Sequence, residues 1–309
     1  MIPGIQKLRY ADHDEWLEIR KKSIGGSDAA AIMGLSQYGS AHTLWAEKSG
    51  KVIPPDISDV EAVRLGHDLE DYVAHRFMEA TGKKVRRENS IMKNPAYPFA
   101  HASVDRMVIG ENAGLECKTT SVLNMKKFKN GEYPVNYYTQ CQHYMMVTGA
   151  EKWYLAVLIL GVEFKWFEIP RDEDEIKALA SSEAAFWQCV QDGTPPPVSG
   201  LDCDDDTLKA MYPESHGGCI DLWGRETMID EYKMIGERIK ELERHQNVIR
   251  QQICADMGDY ESATAGKYKI KWKTQTRNTF DSKRFIADHP GMNFSDYYKH
   301  SNARPFRID

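Results

Sequence analysis

The sequence predicts an α/β protein with a mixed central sheet flanked by helices on both sides, followed by a helical and β-hairpin appendage at its C-terminal end. Three observations carry this expectation. Residues 12–81 read as successive helices and residues 84–169 as strands interrupted by one helix, an order that suits a sheet covered on both faces. The chain has 309 residues with 41% hydrophobic content, enough for a full core. Beyond Thr194-Pro195-Pro196-Pro197 the pattern changes to a long heptad and a short basic strand. Residues 1–197 are therefore expected to form the core, and residues 198–309 a helical arm with a basic strand region.

Taken in order, residues 12–22 carry Trp16, Leu17 and Ile19 to pack, with Arg20 and Lys22 near the helix end. Ile24-Gly25-Gly26 breaks this helix, and Ser27 is placed to cap a short one through Met33. Ser40 can cap another that ends at Ser49-Gly50, and a long helix over 59–81 stops at Gly82. Residues 99–109 read as a strand, 110–114 as a turn and 115–120 as the returning strand. Pro134 opens a helix running to Thr148-Gly149. Two apolar strands over 152–160 and 162–169 join at Gly161, and a helix over 171–191 closes the block. In 226–257, Tyr232, Ile235, Ile239, Leu242, Ile249 and Ile253 fall three and four apart with Gln246 in the missing slot, a narrow heptad seam. It suits the arm of a helical hairpin or an oligomer contact, and packing within the chain is the favoured outcome. Residues 267–274 alternate basic with apolar or aromatic side chains, as a strand does.

The net charge of −6 argues against a protein coated in basic surface for non-specific nucleic-acid binding. It leaves DNA open as a substrate, because a carboxylate-cluster nuclease needs positive charge only where phosphates pass. Lys267, Lys269, Lys271, Lys273, Arg277, Lys283 and Arg284 supply a local basic strip, either a solvated strand face or a DNA-tracking surface. No apolar run approaches the ~20 residues of a membrane helix, and Met1-Ile2-Pro3-Gly4 does not resemble a signal peptide. A soluble, cytoplasmic protein is expected. The six cysteines lack C-x-x-C spacing, so they read as reduced thiols rather than a zinc or iron–sulfur site.

The chemistry concentrates on Asp105, Glu116 and Lys118. With the turn centred near residues 111 and 112, Asp105 lies opposite or diagonal to Glu116 and Lys118. Strand alternation puts those two on one face and Cys117 on the other, so the three groups converge within roughly 5–8 Å. Carboxylates that close repel unless a cation lies between them. A surface ion pair would show the same spacing, but Val108, Ile109, Leu115 and Cys117 mark a half-buried hairpin and favour a site. Magnesium-dependent phosphodiester hydrolysis needs hard oxygen ligands, an activated water and a cation near the phosphate. Asp105, Glu116 and the Cys117 backbone carbonyl would supply the oxygens. Lys118 would orient or help deprotonate the water and offset transition-state charge. Glu70, in Gly66-His67-Asp68-Leu69-Glu70, either adds a third carboxylate or sits on a solvated helix face. His101 and His143 read as hydrogen-bonded structure rather than ligands, and the aromatic series from Tyr133 to Phe167 mostly as core.

Four segments in order carry a resemblance: Arg20 to Asp28 with Gly34 to Gly39, Gly66 to Glu70, Asp105 with Glu116-Cys117-Lys118, and Gln140 to Tyr144. They resemble the YqaJ-type viral recombinase nucleases, relatives of phage lambda exonuclease in the PD-(D/E)XK nuclease superfamily. The run from Gly266 to Arg277 is similar as well, so the resemblance covers most of the chain. Each motif alone is weak, whereas four in order are specific. The resemblance implies a PD-(D/E)XK restriction-endonuclease-like core with Asp105 and Glu116 as metal ligands, Lys118 as catalytic lysine and Glu70 as auxiliary acid. It places Gln142, and less firmly Gln140, beside the site. It implies that Arg20 and Ser27 hold a 5′-phosphate, which the physics of an Arg fork and hydroxyl at a helix start supports; a tight turn and cap is the alternative. Lys271, Lys273 and Arg277 are the DNA-binding candidates of the tail. Val104 departs from the family's Pro before the first Asp, with little consequence, since that Pro ligates nothing.

The activity implied is a Mg2+-dependent 5′-to-3′ exonuclease, with two ions and Mn2+ as a substitute, that degrades one strand of linear duplex DNA. It would leave 3′ tails for recombination by single-strand annealing. A RecT- or Bet-type annealing partner, a homotrimeric ring and a phage or prophage origin in a bacterial host follow from the same resemblance. The rival expectations are an endonuclease or structure-specific nuclease, and a DNA-binding recombination scaffold with a relic site. The intact Asp105, Glu116 and Lys118 set argues against the relic.

Overall fold

In the computed structural model, residues 4–299 and 303–308 are described, and the chain divides into two compact units, Met1–Tyr212 and Pro213–Asp309. The first unit runs β1 (Gln6–Leu8), α1 (His13–Lys21), α2 (Gly26–Ile32), α3 (Ala41–Lys48), α4 (Glu61–Thr81), β2 (Val85–Arg87), β3 (Ile91–Lys93), β4 (Ala102–Ser103), β5 (Arg106–Val108) and β6 (Ala113–Thr120). It continues through a 3-10 helix (Val122–Phe128) to α5 (Val135–Thr148), β7 (Lys152–Ile159), β8 (Glu163–Pro170), α6 (Glu173–Asp192) and α7 (Asp202–Met211).

The central sheet has the order β2-β5-β6-β7-β8. Only β6 and β7 pair in parallel, joined by the α5 crossover that parallel strands require. α4 covers one face with Val73, Ala74 and Phe77 against Leu115, Tyr154 and Ala156. α5 covers the other with Cys141, Met145 and Met146 against Trp153, Leu155 and Val157. A strand covered on both faces reads as a continuous apolar run, which is why 153–159 shows no alternation. Gly82 and Gly149 end α4 and α5 at φ 71° and 67°, a left-handed turn that glycine adopts without strain. Gly114 is needed for a different reason. A Cβ there would lie 2.2 Å from ring carbons of the fully buried Trp153, so Gly114→Ala should cost about 2 kcal/mol or more in chemical denaturation.

Several expectations are corrected. Residues 99–109 do not form one strand: β4 pairs with β3 in a separate sheet and β5 joins the central one. The break falls at Val104-Asp105, where the Asp105 carboxylate takes the Cys117 N–H and the ladder stops at Arg106–Leu115. No residue of α1 is buried and Leu17 is exposed; Trp16 instead donates to the Ser103 hydroxyl at 3.1 Å. Ser27 does not cap α2. Gly25 is the N-cap residue, and the Asp28 carboxylate reaches back to its N–H at 3.0 Å. The proline run lies inside the first unit rather than after it, because α7 packs on α3. Buried Asp204 accepts from the Ser40 and Ser199 hydroxyls, and Thr43 and Thr207 hydroxyls meet at 2.8 Å. The boundary moves from 197 to 212 accordingly.

The second unit contains α8 (Glu226–Met257), the antiparallel hairpin β9 (Ser262–Ala265) and β10 (Tyr268–Lys271), α9 (Ser282–Asp288) and a 3-10 turn (Ser295–Tyr297). The heptad seam of α8 is not packed within the chain as expected. Tyr232, Ile239 and Leu242 are all more than half exposed, and Met257 is the one buried residue of α8. Periodicity assigns a face to a helix without supplying what covers it.

Candidate active site

The β5–β6 register pairs Arg106 with Leu115, so Asp105 and Glu116 form the next opposing positions. Glu116 and Lys118 share a face of β6, and Cys117 turns to the other side, packed against the α4 cluster. The expected convergence is present. Lys118 Nζ lies 2.6 Å from Glu116 Oε1, and Asp105 Oδ2 accepts the Cys117 N–H at 2.7 Å. Glu116 is 2% exposed, and its Oε2 has no hydrogen-bond partner. Burial, and then the neighbouring carboxylates Glu116 and Glu70, hold the Asp105 pKa well above the usual carboxylate value. Burial opposes the charge on Lys118, but Glu116 and Asp105 outweigh it and raise its pKa, so Lys118 is an ammonium at neutral pH. It can orient a water and offset phosphate charge in this state, but it is no free base.

Gln140 Nε2 donates to Glu116 Oε1 at 2.7 Å and to the Tyr144 hydroxyl at 2.8 Å. Gln142 is elsewhere. Its Nε2 donates to Pro170 O at 2.9 Å and its Oε1 accepts the Asp172 N–H at 3.2 Å, fastening the β8–α6 junction. Residues two apart on a helix point about 200° apart, so only one of the pair can face the site. The ranking of Gln142 above Gln140 is therefore reversed. Glu70 lines the same cavity as Asp105 and Glu116, paired there with a cation. Buried Arg106 holds its Oε1 at 2.5 Å, binds Asp71 with its other arm and donates to Asp105 O at 2.7 Å. Among the described residues no three His, Cys, Asp or Glu side chains gather closely enough to enclose an ion, and Glu70 is held in an ion pair with Arg106. Sequence reasoning missed Arg106; its signal was a lone cation between Asp105 and the apolar Met107-Val108.

Arg20 and Ser27 do meet: Nη2 donates to the Ser27 hydroxyl at 3.1 Å, and the guanidinium lies 4.4 Å over the Trp16 ring. Lys48, also missed, anchors this segment by donating to Arg20 O and Ser23 O at 3.0 Å and pairing with Asp28 at 2.8 Å. A cavity of about 540 Å3 joins Arg20 and Ser27 to Glu70, Asp105, Glu116 and Gln140. Gly26 is required behind the lining residue Tyr144, whose ring would lie 2.6 Å from a Cβ there. Lys271, Lys273 and Arg277 belong to the second unit, while every residue lining this cavity belongs to the first. The histidines are structural: His143 bridges Glu183 at 2.7 Å and His101 O at 2.8 Å, and His101 meets the Ser23 hydroxyl at 2.9 Å. Burial holds the His101 pKa well below its usual value, so the ring is neutral.

A mixed sheet flanked on both sides, with Asp, Glu and Lys converging beside a helix-borne Gln, defines the PD-(D/E)XK class of α/β core. The fold is similar to that of the alkaline exonuclease LHK-Exo from Laribacter hongkongensis, with a TM-score of 0.51 and 19% identity over 59% of this chain and 94% of that one. The same enzyme in complex with dAMP gives 0.51 at 20% identity. The family model of the YqaJ-like viral recombinase domain matches residues 15–151. The uncharacterized protein YqaJ of Bacillus subtilis (strain 168) is 40% identical over 309 residues, spanning 98% of this chain and 96% of that protein. The chain belongs to the YqaJ-like viral recombinase family. Among its described residues no helix is long and apolar enough to cross a membrane.

Proposed function

We propose that the chain is a Mg2+-dependent deoxyribonuclease that degrades one strand of linear duplex DNA from its 5′ end and leaves a 3′ single-stranded tail. The carrying observation is the unpartnered, buried Glu116 Oε2 beside an Asp105 whose ionisation is opposed by its own surroundings. Such a pair is incomplete without a cation, and an oxygen-only donor set suits a hard one. Asp105, Glu116 and the Cys117 carbonyl would hold it, with Glu70 available to a second ion once released by Arg106. Bound Mg2+, or Mn2+ in its place, would supply Lewis acidity and a nucleophilic water at neutral pH.

The chain's own residues do the rest. Gln140 and Lys118 both meet Glu116 Oε1 and fix its rotamer, leaving Oε2 free to bind. The Lys118 ammonium faces the phosphate and offsets charge as it develops. Arg20 and the Ser27 hydroxyl, at the start of α2, take the terminal 5′-phosphate. The dAMP of the LHK-Exo complex is a mononucleotide, the kind of product that stepwise removal of a strand yields. A homotrimeric ring, a RecT- or Bet-type annealing partner and action in the cytoplasm of a phage-carrying bacterium go with this reading.

The test is digestion of linear duplex DNA with 5′-phosphate or 5′-hydroxyl ends, and of closed circles, with Mg2+ and with Glu116→Ala as control. One strand should be lost, fastest from 5′-phosphate ends, and nothing in the control. Arg20→Ala should reduce the preference for 5′-phosphate about tenfold or more, the worth of a charged hydrogen bond. Cutting of the circle would replace end recognition with an endonuclease, and binding without cutting would leave a scaffold.

A further inference from the structure

Cations are concentrated in one stretch of the second unit. Residues 262–284 carry Lys267, Lys269, Lys271, Lys273, Arg277, Lys283 and Arg284 against one acid, Asp281, in a chain of net charge −6. Lys273 is 3.5 Å from Glu261. Lys269 and Lys271 have no carboxylate partner among the described residues.

The strip borders a concave surface. A groove of about 370 Å3 runs between the C-terminal part of α8 and β10. Ile249, Ile253 and Ile270 form an apolar floor, Trp272 supplies a half-exposed aromatic wall, and Gln246 adds an amide. Arg250 and Lys271 line it, and among the described residues no acid does. Arg250 uses only its Nε, on Asn247 at 3.3 Å, so its two terminal amino groups remain available. A solvated strand face needs neither an apolar floor nor an uncovered indole. The core of a protein–protein contact is depleted of charge, whereas cations beside an unstacked aromatic ring are the means by which single strands are held.

We propose that this groove binds single-stranded DNA. A base lies on Trp272 above the isoleucine floor, with Gln246 at its edge, and the adjoining phosphates meet Arg250 and Lys271. A duplex keeps its base faces stacked and offers none to the indole, so the site selects single strands. The choice of DNA as the polymer rests on the nuclease reading. In that reading the groove is a holding surface for the strand that is not degraded.

The experiment uses the full chain carrying Glu116→Gln, without Mg2+, and the fluorescence anisotropy of a labelled short oligothymidylate over a range of salt. Trp272→Ala should weaken binding about tenfold without changing the salt slope, and should leave binding of blunt duplex unchanged. Arg250→Gln with Lys271→Gln should reduce the slope of log K against log salt by about 1.4, two phosphate contacts' worth. All these side chains are at the surface, so helicity and thermal midpoint should hold. Oligothymidylate binding that is indifferent to the substitutions overturns the proposal, as does an equal loss on duplex from Trp272→Ala. Digestion by the parent chain is read separately. A chain that binds in this manner but never cuts keeps the groove and loses the nuclease reading; one that cuts while the groove variants bind normally does the reverse.

Discussion

Asp105→Asn will lower Mg2+-dependent hydrolysis by about 10³-fold or more and, without metal, will make the protein more stable at neutral pH. On the proposed reading, the first effect follows from removing a metal ligand whose role in the transition state is worth several kcal/mol. The second follows from the pKa. Burial, Glu116 and Glu70 raise the Asp105 pKa in the folded state above its unfolded value. The folded state therefore binds the proton more tightly, and stability is fully present below the unfolded pKa of about 3.9. It is lost as pH rises through the raised folded pKa. Asn has no charge to bury and can still accept the Cys117 N–H, so the variant escapes that loss. Thermal unfolding in EDTA from about pH 4 to pH 8 checks this, with the variant gaining on the parent as pH rises. Added Mg2+ should lift the parent's midpoint and leave the variant's nearly unchanged. A variant less stable than the parent at about pH 8 in EDTA would contradict the account.

Gln140→Ala and Gln142→Ala will separate function from structure on one helix. Gln140→Ala removes the amide that holds both Glu116 and the Tyr144 hydroxyl, and should lower the rate about 10²-fold at a cost near 1 kcal/mol of stability. Gln142→Ala leaves the Pro170 carbonyl and the Asp172 N–H without their partner at a partly buried junction. It should cost about 2 kcal/mol of stability and leave the rate of the folded protein within about twofold. Paired rate and denaturation measurements on the two variants decide it. The opposite pattern, with Gln142→Ala inactive and fully stable, would return Gln142 to the site.

Local pattern was sufficient for much of this protein. The Gly82 and Gly149 stops, the Ser40 cap and the hairpin that opposes Asp105 to Glu116 rest on interactions only a few residues apart in sequence or on strand alternation. The same locality explains the misses. Asp28 took over from Ser27 as the capping side chain because both stand near the start of α2 and only the three-dimensional turn chooses between them. Arg106 gave little warning, since its partners Glu70 and Asp71 come from a helix far earlier in the chain.

The sequence by itself determined the main helices α4 to α6, the β7–β8 pair and the Asp105, Glu116 and Lys118 set, because 3.6-residue and two-residue periods are properties of adjacent residues. Tertiary structure alone decided which glutamine faces Glu116, that Arg106 holds Glu70, that α7 extends the first unit to Tyr212 and that the α8 seam stays exposed. Each depends on which distant surface meets a given face, and a periodic pattern carries the face without its partner.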